Sequence, residues 1–239
     1  MSINYVSCGR LGDFIDELSI VKELFLKTGK KGNVYMVHSI HWSQSLESTF
    51  KYIKDIIHDQ DYINDIQIYN NEHIDVDLSL WRRYICFRDG IGYLESDTVP
   101  NIISSLYNIR WASHIWMEID NVDPKWSTTT FINATDYRPI LCDVPAKDVY
   151  FIGIVDEHYE HFKKTNNIDI PLYKPKNFRD LCICLKSCKT LICGLSMYCS
   201  LARALGTDCK IAKHTNDVAH EMEYLFPDLD KYMKYVKYI

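Results

Sequence analysis

The chain is marked first by what it lacks. No apolar run approaches the roughly 18 residues that a membrane span needs, so no span is expected. The N-terminus has no basic region followed by an apolar stretch and a small-residue cleavage site, so no secretory signal is read there. Basic residues are not in excess: 27 Lys and Arg against 32 Asp and Glu leave a net charge of −5. That balance argues against a general nucleic-acid binder, because phosphate neutralisation needs a basic surface; a local basic pocket stays open. Glycine is scarce, 9 in 239 residues, and no Pro/Gly/Ser-rich linker, short-period repeat or low-complexity tract breaks the chain. The G-x-G-x-x-G dinucleotide spacing and the H-E-x-x-H zinc motif are missing, and so are the C-x-x-C pairs of structural zinc sites.

What is present is ordinary globular material. Hydrophobic residues make up 47% and charged residues 25%, enough to build a core and keep a polar surface. A length of 239 residues suits one large domain or two small ones. The 9 cysteines are odd in number and follow no export signal. They are read as reduced thiols in a cytoplasmic, reducing setting.

The periodicity alternates between strand and helix. Residues 3–8 read as a strand, 13–28 as a helix stopped at Gly29, and Asn33 to Val37 as a buried strand. An amphipathic helix runs through Leu46, Phe50, Ile53, Ile56 and Ile57, and a third strand covers 66–69. This β-α-β-α-β order implies a parallel sheet with covering helices. Residues 72–126, with Trp81, Trp111, Trp116 and Trp126, are expected to add one or two strands and loops that cap a cleft. A second series starts near 128. It has strands at 130–134, 149–153, 190–193 and 209–212, and helices at 156–165, from Asn177, and from Ser196 to Leu205 before Gly206. A last helix is expected from Pro227 to Ile239. The expected domains are therefore 1–126 and 127–239, two α/β units with a ligand cleft between them.

Four constellations carry chemistry. Gly9-Arg10-Leu11-Gly12-Asp13 turns from strand to helix. Asp13 is there either a helix-capping acid favoured by the helix dipole or a general base towards an acceptor hydroxyl. Ser196, between a strand and a helix, is either a simple cap or the start of a phosphate cradle formed by the N–H groups of Met197, Tyr198 and Cys199. Arg138, after the strand at 130–134, is either a solvated loop residue or a bidentate phosphate ligand. The cysteines at 182, 184, 188, 193 and 199 read as small buried side chains. His38 and His41 follow the second strand and either border the cleft or lie on the surface. Trp81, Arg82 and Arg83 form either an anionic acceptor patch or a part-buried Trp with solvated arginines.

The run Arg10-Leu11-Gly12-Asp13-Phe14-Ile15 resembles the N-terminal signature of the heptosyltransferase-like glycosyltransferases (family 9). The segment Leu181 to Gly206 resembles that family's C-terminal signature, with a strand, a Ser-bearing turn and a helix ending in Ala204-Leu205-Gly206. The resemblance implies a GT-B-like α/β fold of two facing Rossmann-like halves, shorter than usual. It implies a nucleotide-diphosphate-sugar donor held in the C-terminal half by Arg138, Ser196, Met197, Tyr198 and the acid Glu157. It implies a glycan or small hydroxyl acceptor on the N-terminal side, near Arg10, Gly12, His38, Arg82 and Arg83. Asp13 would take the acceptor proton, and no metal or cofactor would be needed. The family's Asp-Ser/Thr-Gly-Pro-x-His turn reads here Leu195-Ser196-Met197-Tyr198-Cys199-Ser200, and only the serine matches. Two alternatives accompany this reading. One is a non-catalytic binding or assembly protein on the same scaffold. The other is a nucleotide-dependent enzyme of another α/β type, which would need catalytic residues within 72–126.

Overall fold

The structure, a computed structural model, describes residues 2–37, 44–88, 91–94, 99–136, 139–145, 147–212 and 236–238. His38, His41 and Arg138 lie outside the described residues, as does the Arg83 side chain. The chain divides into two compact units, one of Met1–Cys86 with Leu94–Glu118, the other of Phe87–Tyr93 with Ile119–Ile239. Trp111 and Trp116 thus belong to the first unit and Trp126 to the second.

The first unit is built on β1 (Ile3–Ser7), α1 (Leu11–Thr28), β2 (Gly32–Met36), α2 (Leu46–His58), β3 (Ile63–Ile68) and β4 (Val76–Asp77). The strands pair in parallel in the order β3-β2-β1-β4. The helix α1 forms because Phe14, Ile15, Leu18 and Val21 recur on one face, and all four are buried. It stops where Gly29 turns left-handed at φ 70° and returns its N–H to Phe25 O at 2.7 Å. The segment expected to hold cleft-capping loops behaves differently around Trp116. That indole is buried and donates to Ile15 O at 2.7 Å, so this stretch covers α1 as part of the core. Large apolar side chains with one polar handle favour such a half-bonded core position. A two-stranded sheet of β5 (Ile85–Arg88) and β6 (Ile91–Leu94), and α3 (Val99–Tyr107), complete the middle of the chain.

The second unit contains β7 (Thr130–Asn133), β8 (Val149–Ile152), α4 (Asp156–Asn166), β9 (Leu172–Tyr173), α5 (Phe178–Ser187), β10 (Thr190–Cys193), α6 (Met197–Leu205), β11 (Cys209–Ile211) and β12 (Val236–Tyr238). All pairings are parallel, in the order β12-β11-β10-β7-β8-β9. The helix expected at the C-terminus is corrected in part: Val236–Tyr238 is a strand that pairs with β11. Val-Lys-Tyr alternates with a period of two, and the open edge of β11 supplies the backbone partners that such a segment needs. The core of this unit packs Ile132, Phe151, Phe162, Ile170 and Ile192 together. The Trp126 ring lies 5.1 Å from Phe131 and 4.9 Å from Tyr173.

Candidate functional site

Both sheets change direction at their first strand. In the first unit the chain runs outward through β1, β2 and β3, then returns to the other side of β1 as β4. In the second it runs outward through β7, β8 and β9, then returns beside β7 as β10 and continues to β11 and β12. This is the strand order of doubly wound nucleotide-binding sheets, and ligands bind outside the carboxyl ends of the strands where the order reverses. In each unit the reversal point holds a cluster of polar side chains.

In the first unit the cluster begins with Asp13, in the first turn of α1. Its Oδ2 accepts from the backbone N–H of Arg10 at 2.9 Å and from Nη1 of Arg82 at 2.5 Å. Arg82 comes from the 3₁₀ turn Leu80–Tyr84 that follows β4, and its guanidinium lies 5.5 Å from the Trp81 ring. Asp13 and Arg82 remain 28% and 30% exposed, so a ligand can reach them. Gly9 is required beneath this pair: a Cβ there would fall 2.5 Å from the Cβ of Asp13. One helical turn deeper is Glu17, 1% exposed. Its Oε2 accepts from Ser7 Oγ at 2.5 Å and Ser79 Oγ at 3.2 Å, and its Oε1 accepts from Trp81 Nε1 at 3.1 Å. Burial pushes the Glu17 carboxyl up to about 8, and the nearby Asp13 charge adds to the shift. The carboxyl is therefore mostly protonated at neutral pH, as expected for an acid away from water.

In the second unit the cluster is neutral. Asn133 ends β7 and is 2% exposed. Its Nδ2 donates to Ile152 O at 2.8 Å, and its Oδ1 accepts from Ser196 Oγ at 3.4 Å. Ser196 occupies the N-cap position of α6, but its hydroxyl makes no cap bond. Its carbonyl accepts from the N–H of Cys199 at 3.0 Å and of Ser200 at 3.3 Å. Of the three amides expected to face a ligand, that of Cys199 is thus already engaged. Glu157 lies exposed in the first turn of α4. The neighbouring His158 ties that turn to Asp136, 3.2 Å away, in the bend after β7. In the same unit, the sulfurs of Cys193, Cys199 and Cys209 lie within 4.8 Å of one another.

The structure therefore brings Asp13, Arg10 and Arg82 together in one unit, and Ser196 and Asn133 in the other. Gly12 lies beside Asp13 in the first turn of α1. Met197 follows Ser196 at the start of α6, and Tyr198 is buried. Glu17, Ser7, Ser79 and Asn133 escaped the sequence reading. The signals were faint: an acid four residues after Asp13 on a largely apolar helix, and an amide ending the apolar strand Thr-Phe-Ile-Asn.

No protein-family model and no curated protein matches the sequence. Solved structures do match, over 100% of this chain. "E. coli heptosyltransferase WaaC with ADP" superposes with a TM-score of 0.60 at 8% identity, over 92% of that chain. "E. coli ADP-heptose lps heptosyltransferase II" gives 0.56 at 10% identity, over 90% of its chain. The family 9 glycosyl transferase from Veillonella parvula DSM 2008 gives 0.55 at 9%, over 86%. The chain thus has the α/β fold of these GT-B glycosyltransferases, and the likeness carried by its two motifs extends to the whole described fold.

Proposed function

We propose that the chain is a glycosyltransferase that moves a sugar from a nucleotide-diphosphate donor to a hydroxyl of a glycan or small acceptor. The observation that carries this reading is the pair of polar clusters at the strand-order reversals of two Rossmann-like sheets, one acidic and one neutral. The first unit takes the acceptor and the second takes the nucleotide. The solved heptosyltransferase with ADP supplies the first probe.

In this reading Asp13 is the general base. Among the described contacts, both of its hydrogen bonds end on Oδ2. The Oδ1 side takes the proton of the acceptor hydroxyl as that oxygen attacks the anomeric carbon and the nucleotide diphosphate leaves. Arg82 fixes the carboxylate in place and presents a cation to an anionic group on the acceptor. The departing diphosphate is met by the start of α6 with Ser196, Met197 and Tyr198, and by Arg138. No metal ion enters this scheme.

The ion pair also favours a second reading, a binding or assembly protein on the same scaffold in which Asp13 and Arg82 only lock the turn. Thermal-shift measurements against UDP-, GDP-, ADP- and CMP-sugars separate the two, since a specific ligand raises the melting temperature by mass action. A shift with one nucleotide class, together with transfer lost in Asp13→Asn, supports the enzyme. No shift with any of them sinks the donor site. Full transfer activity in Asp13→Asn sinks the base assignment.

A further inference from the structure

The second unit holds a cluster that sugar transfer does not use. Cys193 ends β10, Cys199 lies in the first turn of α6, and Cys209 opens β11. In the parallel ladder Cys193 pairs with Ile211 and Cys209 with Leu191. The two cysteines are therefore staggered by two positions and share one face of the sheet. The helix α6 packs over that face and adds the third sulfur. Cys193 Sγ and Cys209 Sγ are 3.7 Å apart, all three sulfurs lie within 4.8 Å of one another, and each side chain is 0% exposed.

We propose that Cys193, Cys199 and Cys209 form a binding site for a soft, thiolate-seeking metal cation, Cu(I) or Zn(II), that pins the turn carrying Ser196. Metal–sulfur bonds of about 2.3 Å set ligand sulfurs about 3.7 to 4.0 Å apart, which is the spacing already present between Cys193 and Cys209. Two strands and a helix hold the sulfurs, so little ordering is needed on binding. Thiolate ligands select Cu(I) and Zn(II) over hard cations. Three sulfurs complete a trigonal Cu(I) site; tetrahedral Zn(II) needs one ligand more.

Charge cancels with Zn(II) and comes to within one negative charge of cancelling with Cu(I). Binding releases the three thiol protons to solvent as three metal–sulfur bonds form. The negative charge left behind is offset by the cation and by Arg203, one helical turn after Cys199. Arg203 is 5% exposed and its charge already acts on Cys199. The site is independent of the transfer reaction and stands or falls without it.

The test is anaerobic titration of the full chain with Cu(I), and separately Zn(II), against a competing chelator. X-ray absorption on the loaded protein identifies the ligands. One equivalent is expected to be retained, Cu(I) on three sulfurs and Zn(II) on three sulfurs with one lighter ligand, with a rise in melting temperature. Cys199→Ala and Cys209→Ala should each weaken retention by about tenfold or more. Cys8→Ala, an exposed cysteine of the other unit, should retain the metal. Retention of either cation with this dependence supports the site. The proposal is overturned if wild type holds no more of either metal than Cys199→Ala, or if the shell contains fewer than three sulfurs. The ligand shell of wild type alone decides the question should the alanine variants fail to fold.

Discussion

At the first reversal of strand order, between β1 and β4, the chain places two carboxyls, a guanidinium and two hydroxyls. At the second, between β7 and β10, it places an amide and a hydroxyl. The two sheets share a topology, so the difference lies in what each strand end carries. A buried acid beside an ion pair is suited to holding and moving protons. An amide and a hydroxyl near a helix start are suited to an anion, because they bring no negative charge to repel it. A shared topology thus carries two chemistries, and single substitutions can erase or widen that difference.

Asp13→Asn should have the largest effect. It keeps the shape and removes the base, and general-base catalysis contributes about 10²- to 10⁴-fold. Steady-state transfer should fall by that order while the thermal shift with nucleotide persists. An equal loss of both would mean that the two clusters do not divide the work.

Glu17→Gln should next abolish the pH dependence that this carboxyl gives the first unit. The carboxyl is raised from 4.5 to about 8 in the folded chain. Between those values the folded state holds a proton that the unfolded state has released. Stability from this group is therefore complete below about 4.5 and is lost as pH rises through about 8, at up to about 1.4 kcal/mol per pH unit. Urea unfolding across that window should slope downward in wild type and lie flatter in the glutamine variant. A wild-type profile that rises across it would contradict a protonated Glu17.

Gly9→Ala should cost about 1–3 kcal/mol through overpacking, since its Cβ meets the Cβ of Asp13 at 2.5 Å. Gly153→Ala, after β8 in the second unit, meets its nearest atom, Phe151 Cε1, at 3.1 Å and should be milder. Chemical denaturation of the pair measures the difference. Equal losses would show that α1 shifts freely at its start, and with it Asp13.

The elements were legible in the sequence because their periods are strong. The strands at Thr130–Asn133 and Thr190–Cys193 and the helix α2 fall where apolar residues recur at the right spacing. The reversal points were not legible, because β4 is only 2 residues long and is defined by its partner β1. Glu17 read as an ordinary polar helix position, since nothing local shows that Ser79 and Trp81 close over it from 62 and 64 residues away. The cysteine trio was hidden for the same reason. Cys209 joins Cys193 only once β11 is known to lie beside β10. Ser196 shows how a position is easier to read than a direction: the N-cap was visible, yet the hydroxyl turns to Asn133.

That turn of the hydroxyl makes Ser196→Ala the smallest and most discriminating change. Were Ser196 a cap, its loss would cost about 1 kcal/mol of stability and leave ligand affinity alone. Among the described residues its hydroxyl instead makes one long bond of 3.4 Å, to Asn133, so its loss should scarcely move the melting temperature of the free protein. If the hydroxyl swings to a diphosphate oxygen, the variant should lose about 0.5–1.5 kcal/mol of nucleotide affinity, a change of about two- to twelvefold. Calorimetric titration with the nucleotide that shifts wild type measures this, and thermal melting without ligand is its partner. A stability loss with unchanged affinity would return Ser196 to the role of a cap. The neutral cluster would then be a structural joint between β7 and α6, and the anion-holding half of the comparison would fall to the amides alone.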